Sequence, residues 1–314
     1  MKNRFFVFIS SLLMFGTAFS QTKYQKEYEQ AQEKFTKGKF ADCIELLNPI
    51  ILAEKNNKEA VMLRAKAKKS IPDFVGAVAD FSRLIKADST NYEALLLRGD
   101  SYYLQKKYEF ALKDLLKAEK YNNTDDKLYQ YKGYSLYMLK KYDEAVADFT
   151  KAISINDKNT SAYFGRSLVY ADVKKFDLES EDLVKANSID PNDVTVKMHL
   201  SYSYIRQENY DKAEALYAEL LKNDKKNTYF LNNLAFIKLK KNQIKDARNL
   251  LEQSVKLWPQ NPWTYRNIAL VDLAENKTED ACMHINQALT LGFKKQYGTE
   301  LDELKKEHCM KKAK

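Results

Sequence analysis

Cysteine and histidine are the side chains in this chain that could hold a metal or pass electrons, and there are three of each. Cys282, His284, His308 and Cys309 lie close enough in sequence to suggest a zinc set, since thiolate and imidazole are its usual ligands. Helical spacing argues against that reading: residues two apart on a helix diverge by about 200°, so Cys282 and His284 do not share one ion. His199 is the remaining histidine. The chain has no nucleophile elbow, no phosphate-cradling glycine loop and no His-Glu zinc motif. The expectation is therefore no catalytic residue, no metal, no cofactor and no enzymatic activity. In an oxidising compartment Cys282 and Cys309 would pair if their side chains met in register.

The elements that must position any site are written as a repeat. A 34-residue register runs eight times without a gap, over 24–57, 58–91, 92–125, 126–159, 160–193, 194–227, 228–261 and 262–295. Position 8 is always small, from Ala31 through Gly99 and Gly133 to Ala269. Position 20 is small in all repeats but one, and position 24 is always large and apolar, as in Leu47, Phe149 and Tyr217. Position 17 is aromatic in six repeats, among them Phe40, Tyr108 and Phe176. The pattern predicts two amphipathic helices per repeat, at positions 1 to about 14 and 17 to about 30. Small residues at 8 and 20 let them cross at about 8–10 Å. Glycine and proline are scarce, at 8 and 5, and there is no strand-type alternation, so the fold class is all-α. Cys43, at position 20, reads as a small buried residue. Glu179 breaks the rule there; a carboxylate in that place needs a partner, and Arg166 is the nearest candidate.

The repeats also align the chain against itself. Position 7 is basic in repeats 2 to 5 (Arg64, Arg98, Lys132, Arg166), and position 23 is aspartate in the same four (Asp80, Asp114, Asp148, Asp182). In repeats 6 and 7 both become leucine, as Leu200 with Leu216 and Leu234 with Leu250. The joint change predicts four structural ion pairs across the hairpins, serving register more than net stability.

Both ends differ from the array. Residues 1–20 combine Lys2 and Arg4, an apolar run from Phe5 to Phe15, and Ala18-Phe19-Ser20, which reads as a signal peptide cleaved after Ser20. Export to the periplasm or envelope is the corresponding expectation, without membrane insertion after cleavage. Removing Lys2 and Arg4 lowers the net charge from +9 to +7. Lysine pairs at the hairpin turns (Lys106-Lys107, Lys140-Lys141, Lys174-Lys175) read as solvated turn residues, and nucleic acid is not an expected partner. At the other end, 296–314 reads as a capping helix, with Thr299 and Asp302 as a capping box and Tyr297, Leu301, Leu304 and His308 as its inner stripe.

This pattern resembles the tetratricopeptide repeat family from Tyr24 to about Lys295. The clearest copy is Tyr129-Gln130-Tyr131-Lys132-Gly133, with Tyr142-Asp143-Glu144-Ala145 and Phe149-Thr150-Lys151-Ala152. The resemblance implies a right-handed superhelix (solenoid) of eight hairpins, with positions 2, 5, 9, 12 and 13 of each first helix lining a concave face. In the first half those positions hold Tyr103, Tyr134, Tyr137 and Phe164; further on they hold Met198, Tyr202, Arg206, Tyr229 and Phe236. Trp263 and Arg266 complete the set, with about half of its aromatics expected to be well exposed. Such a groove implies a non-enzymatic scaffold or adaptor of the cell envelope that binds a peptide segment or helix of a partner protein. A glycan or peptidoglycan module is an alternative, with Asp100, Gln130 and Asn232 as its polar candidates, as is a regulatory subunit of an envelope enzyme complex. The carboxylate clamp of the chaperone-binding members does not carry over: Asn233 and Asn267 stand at position 6, but the required lysines and arginine are missing.

Overall fold

The computed structural model describes residues 24–310, and among them only helices occur as regular structure. The signal-peptide segment lies outside the described residues. Helix α1 covers 24–36. It is followed by α2 (Phe40–Ala53), α3 (Lys58–Ser70), α4 (Phe74–Ala87), α5 (Tyr92–Leu104) and α6 (Tyr108–Glu119). Next come α7 (Asp126–Met138), α8 (Tyr142–Ile155), α9 (Thr160–Asp172), α10 (Phe176–Ile189), α11 (Val194–Arg206) and α12 (Tyr210–Asn223). The array closes with α13 (Thr228–Lys240), α14 (Ile244–Leu257), α15 (Pro262–Ala274) and α16 (Thr278–Thr290). Two short helices, α17 (Phe293–Tyr297) and α18 (Glu300–His308), complete the chain.

The chain divides into two compact units after Val169, inside α9. Within each, successive helices pack in order as hairpins, which is the tetratricopeptide fold class. Positions 8, 20 and 24 form the spine: Ala31, Cys43 and Leu47 in the first repeat, and Ala269, Ala281 and Ile285 in the last, are all fully buried. The small residues are there because the crossing leaves no room. A Cβ on Gly165 would stand 2.4 Å from the Phe149 ring, and one on Gly133 would stand 2.8 Å from the same ring. Phe149 thus needs glycine on both α7 and α9.

First helices end one residue earlier than expected, at position 13, because position 15 turns left-handed. Gly38 does this at φ 71°, and Lys106, Lys140, Lys174, Glu208, Asn242 and Asn276 do so at φ 56–61°. Most of those side chains tolerate the left-handed region poorly, so the hairpin geometry imposes it on them. From the second repeat on, first helices start under an Asn or Asp cap at position 34 of the preceding repeat. Asn57 accepts from the Ala60 amide at 2.8 Å, Asn159 from Ala162 at 2.8 Å, and Asp193 from Thr195 at 2.8 Å.

The C-terminal segment departs from the expected single helix. Gly298, at φ 93°, separates α17 from α18, so Tyr297 belongs to the shorter piece. Thr299 makes no side-chain cap; its carbonyl accepts from the Asp302 amide at 2.9 Å instead. Phe293 and Leu301 are fully buried beneath this segment.

Candidate partner-binding face

In the second unit, α11 and α13 present the most open aromatic surface. Tyr202 is 53% exposed and Tyr229 46%. Between them, Tyr217 of α12 is fully buried at position 24; burial first, then Tyr229 and Tyr202, push its phenol pKa up. Met198 and Phe236 beside them are half-buried. Arg206 is braced: its guanidinium lies 4.4 Å from the Phe176 ring and 5.0 Å from the Tyr202 ring, and it pairs with Glu179. Glu179 pairs with Arg206, one repeat further on, and Arg166 donates to Thr150 at 2.8 Å. Burial raises the Glu179 carboxyl above its ordinary value, and Arg206 works against that rise.

In the first unit the corresponding rings pack on one another. Tyr103 lies 5.7 Å from Tyr108 and 6.0 Å from Tyr134; Tyr134 meets Phe149 at 5.0 Å, and Tyr137 meets Tyr142 at 6.1 Å. Tyr103, Tyr134 and Tyr137 are half-buried as a result, and Phe164 is half-buried as well. The expectation that about half the groove aromatics would be well exposed is too high. Two of the eight are; rings cover Tyr103, Tyr134, Tyr137 and Trp263, and the Arg266 guanidinium lies against Phe236.

The far end of the second unit is covered by the chain itself. Trp263 stacks on Phe293 at 5.5 Å and an 11° interplanar angle, and contacts Tyr297 at 5.0 Å. Arg266 is only 8% exposed and pairs with Glu300 of α18. Trp263 is half-buried and Arg266 buried beneath this segment, so neither forms part of a fully open groove. Cys282 and Cys309 are joined, with their Cα atoms 5.7 Å apart. His284 faces Asp272 at 2.6 Å, and among the described residues no cluster of three or more His, Cys, Asp or Glu could hold a metal.

With this geometry in view, comparison with known proteins decides the family. Residues 181–228 and 198–262 match the family model described as tetratricopeptide repeat, and residues 76–152 match that for anaphase-promoting complex, cyclosome, subunit 3. The chain belongs to the tetratricopeptide repeat family. Among solved structures, a tetratricopeptide repeat protein from Parabacteroides merdae ATCC 43184 is 17% identical, with a TM-score of 0.55 over 79% of this chain and 98% of that one. The Cut9–Hcn1 hetero-tetramer gives 16% identity and a TM-score of 0.57 over 88% of this chain and 54% of that one. YrrB, a tetratricopeptide repeat protein with an unusual peptide-binding site, gives 17% and 0.52 over 59% and 95%. At these identities the likeness is one of fold. No curated protein matches the sequence.

Other polar residues of this repeat protein have structural occupations. Asp100 is 6% exposed and bridges Lys69 at 2.5 Å, and Asn232 is fully buried, donating to Ser254 and Thr264 at 3.0 Å each. Two of the three polar groups for a glycan reading are thus withdrawn from the surface. At positions 7 and 23, Arg64 grips Asp80 at 2.6 and 2.9 Å, Arg98 grips Asp114 at 2.6 and 2.8 Å, and Lys132 reaches Asp148 at 3.2 Å. The Arg166 and Asp182 pair would span the two units and stands as an expectation. Sequence reading missed that the arginines also reach back to position 25 of the preceding repeat. Arg64 donates to Asn48 and Arg98 to Ser82, both at 2.9 Å. The signal was legible: Asn48, Ser82 and Thr150 are polar where the next repeat has arginine, and Leu116 is apolar where it has Lys132.

Proposed function

We propose that this repeat protein is a non-enzymatic adaptor that holds a segment of a partner protein against α11 and α13. The observation that carries this reading is that Tyr202 of α11 and Tyr229 of α13 are open while the other groove aromatics are half-buried. A tyrosine ring buries much area at low entropic cost and keeps a hydroxyl for hydrogen bonding, which suits a peptide surface. The reading is supported by the fold shared with YrrB, whose own peptide-binding site is described as unusual. The envelope is the proposed compartment. The Cys282 to Cys309 bridge fits an oxidising space, and residues 1–20 have the layout of a cleaved leader. Among the described residues no helix is long and apolar enough to cross a membrane.

The test places a photo-crosslinking residue at Tyr229 in the full chain and compares it with the same chain carrying Tyr202→Ala. Discrete cross-linked protein partners that fade at least about tenfold with Tyr202→Ala, at unchanged helicity and melting, are the expected result. Partners that persist unchanged would move the site elsewhere, and cross-links to wall glycan alone would replace the adaptor reading.

A further inference from the structure

The last repeat has a surface built like a ligand site, and the chain fills it. Arg266 lies 5.2 Å from the Phe236 ring and 4.9 Å from the Trp263 ring, so its guanidinium is held between two aromatic faces. Behind it, Nη1 donates to Asn267 Oδ1 at 2.8 Å; Asn267 Nδ2 donates to the Asn232 carbonyl at 3.0 Å, and Asn232 is tied to Ser254 and Thr264. A guanidinium fixed by stacking and by a buried polar chain keeps its remaining donors aimed at a carboxylate. That carboxylate is Glu300.

Covering the apolar end of an array needs only apolar contacts and a wet outer surface, which Phe293 and Leu301 supply. The additional features are those of recognition: an aromatic stack on Trp263, a second ring from Tyr297, and a charge pair on a preset arginine. Register strengthens the point. Phe236 and Trp263 occupy positions 9 and 2 of successive repeats, as Tyr202 and Tyr229 do one repeat earlier. Both positions are open in one place, whereas in the next the chain's own segment covers Trp263 and Arg266 lies against Phe236.

We infer that residues 293–308 are a built-in occupant of a carboxylate-reading site formed by Arg266, Trp263 and Phe236. The partner of that site is a protein segment of the same chemistry: two aromatic residues four apart, with a carboxylate three residues beyond, as in Phe293, Tyr297 and Glu300. The Cys282 to Cys309 bridge ties the occupant to α16 and keeps its effective concentration high. A dithiol reductant opens it: the two sulfurs take up two electrons and two protons to become thiols, and the reductant becomes a disulfide. The inference does not depend on the open tyrosine face.

The test is a fluorescently labelled peptide copying residues 293–308, titrated against the full chain in three forms: oxidised, reduced by a dithiol, and Cys282→Ser/Cys309→Ser. The peptide should bind both opened forms at least about tenfold more tightly than the oxidised one. Replacing Glu300 by Gln in the peptide, or Arg266→Gln in the opened chain, should each weaken binding about tenfold, the scale of one charge-assisted contact. Tyr202→Ala/Tyr229→Ala should leave it unchanged, which separates this site from the adaptor face. Equal binding to oxidised and opened chains, or indifference to Glu300→Gln, would overturn the inference. So would amide exchange showing residues 293–308 equally protected in all three forms with no peptide bound, since the segment would then be a permanent cap.

Discussion

The two units share one 34-residue register and place their charges in different layers of it. In the first, ions sit at positions 7 and 23, as Arg64 with Asp80 and Arg98 with Asp114, while position 21 is apolar (Ile44, Val78, Leu112, Val146). In repeats 6 and 7 of the second, positions 7 and 23 are leucine, with Leu234 and Leu250 in one cluster, and position 21 is charged (Glu214, Arg248). Glu214 meets Lys238 at 2.6 Å and Lys241 at 2.7 Å; Arg248 meets Asp272 at 2.7 Å and Glu275 at 2.8 Å. Those contacts run from one hairpin's second helix to the end of the next hairpin's first. Charge inside the hairpin suits a unit that must hold its own crossing in register. Charge between hairpins stitches successive repeats at their rim. The register therefore specifies where helices cross, not which layer carries the ions.

The largest effect should come from leaving a charge alone in the first unit. Asp114→Ala strands the Arg98 guanidinium, and the expected loss is about 3–5 kcal/mol, read from urea unfolding with slope and helicity compared. Leu234→Ala at the matching position of the second unit should cost about 2–5 kcal/mol through a cavity. A cost below about 1 kcal/mol for Asp114→Ala would show that the first unit does not rely on this layer.

Replacing both members at once sharpens the comparison. Arg98→Leu/Asp114→Leu imports the second unit's solution, and the expected outcome lies between neutral and about 1–4 kcal/mol more stable. Clear destabilisation by the pair would mean that the arginine's further bond to Ser82 matters more than the ion pair does.

The smallest effect is in pH. Burial holds the Asp148 carboxyl above its ordinary value despite Lys132, whereas hydrogen bonds from Lys238 and Lys241 hold Glu214 below its own. For Asp148 the folded chain takes up its proton first as pH falls, so its contribution to stability rises between the folded and unfolded values. For Glu214 the contribution is present above the unfolded value and is lost as pH falls through the folded one. Carboxyl NMR titration should show the two groups displaced in opposite directions, and titration at matched, unshifted values would remove this distinction between the layers.

Much of this was legible in the residues. Positions 8, 20 and 24 named the buried spine because a helix crossing favours small groups facing one large one, and every repeat but the fifth keeps that pattern. The joint switch at positions 7 and 23 likewise pointed to a contact, since a buried charge and its partner must change together. The Asn and Asp caps at position 34 are equally visible in type and spacing. The partner of Glu179 was not legible. Position 20 faces more than one neighbouring helix, and whether the arginine comes from position 7 or from position 13 of the next repeat depends on how hairpins stack.

By itself, the sequence determined an all-helical array with its period, its crossing points and its family, because these follow from local spacing repeated eight times. Exposure of the aromatics was decided only in three dimensions: Tyr202 and Tyr229 stand open, Tyr103 and Tyr134 shield each other, and Trp263 and Arg266 lie beneath α17 and α18. The physical reason is that helical period sets the direction in which a side chain points. What it meets there belongs to the next repeat, or to a tail more than twenty-five residues further along the chain.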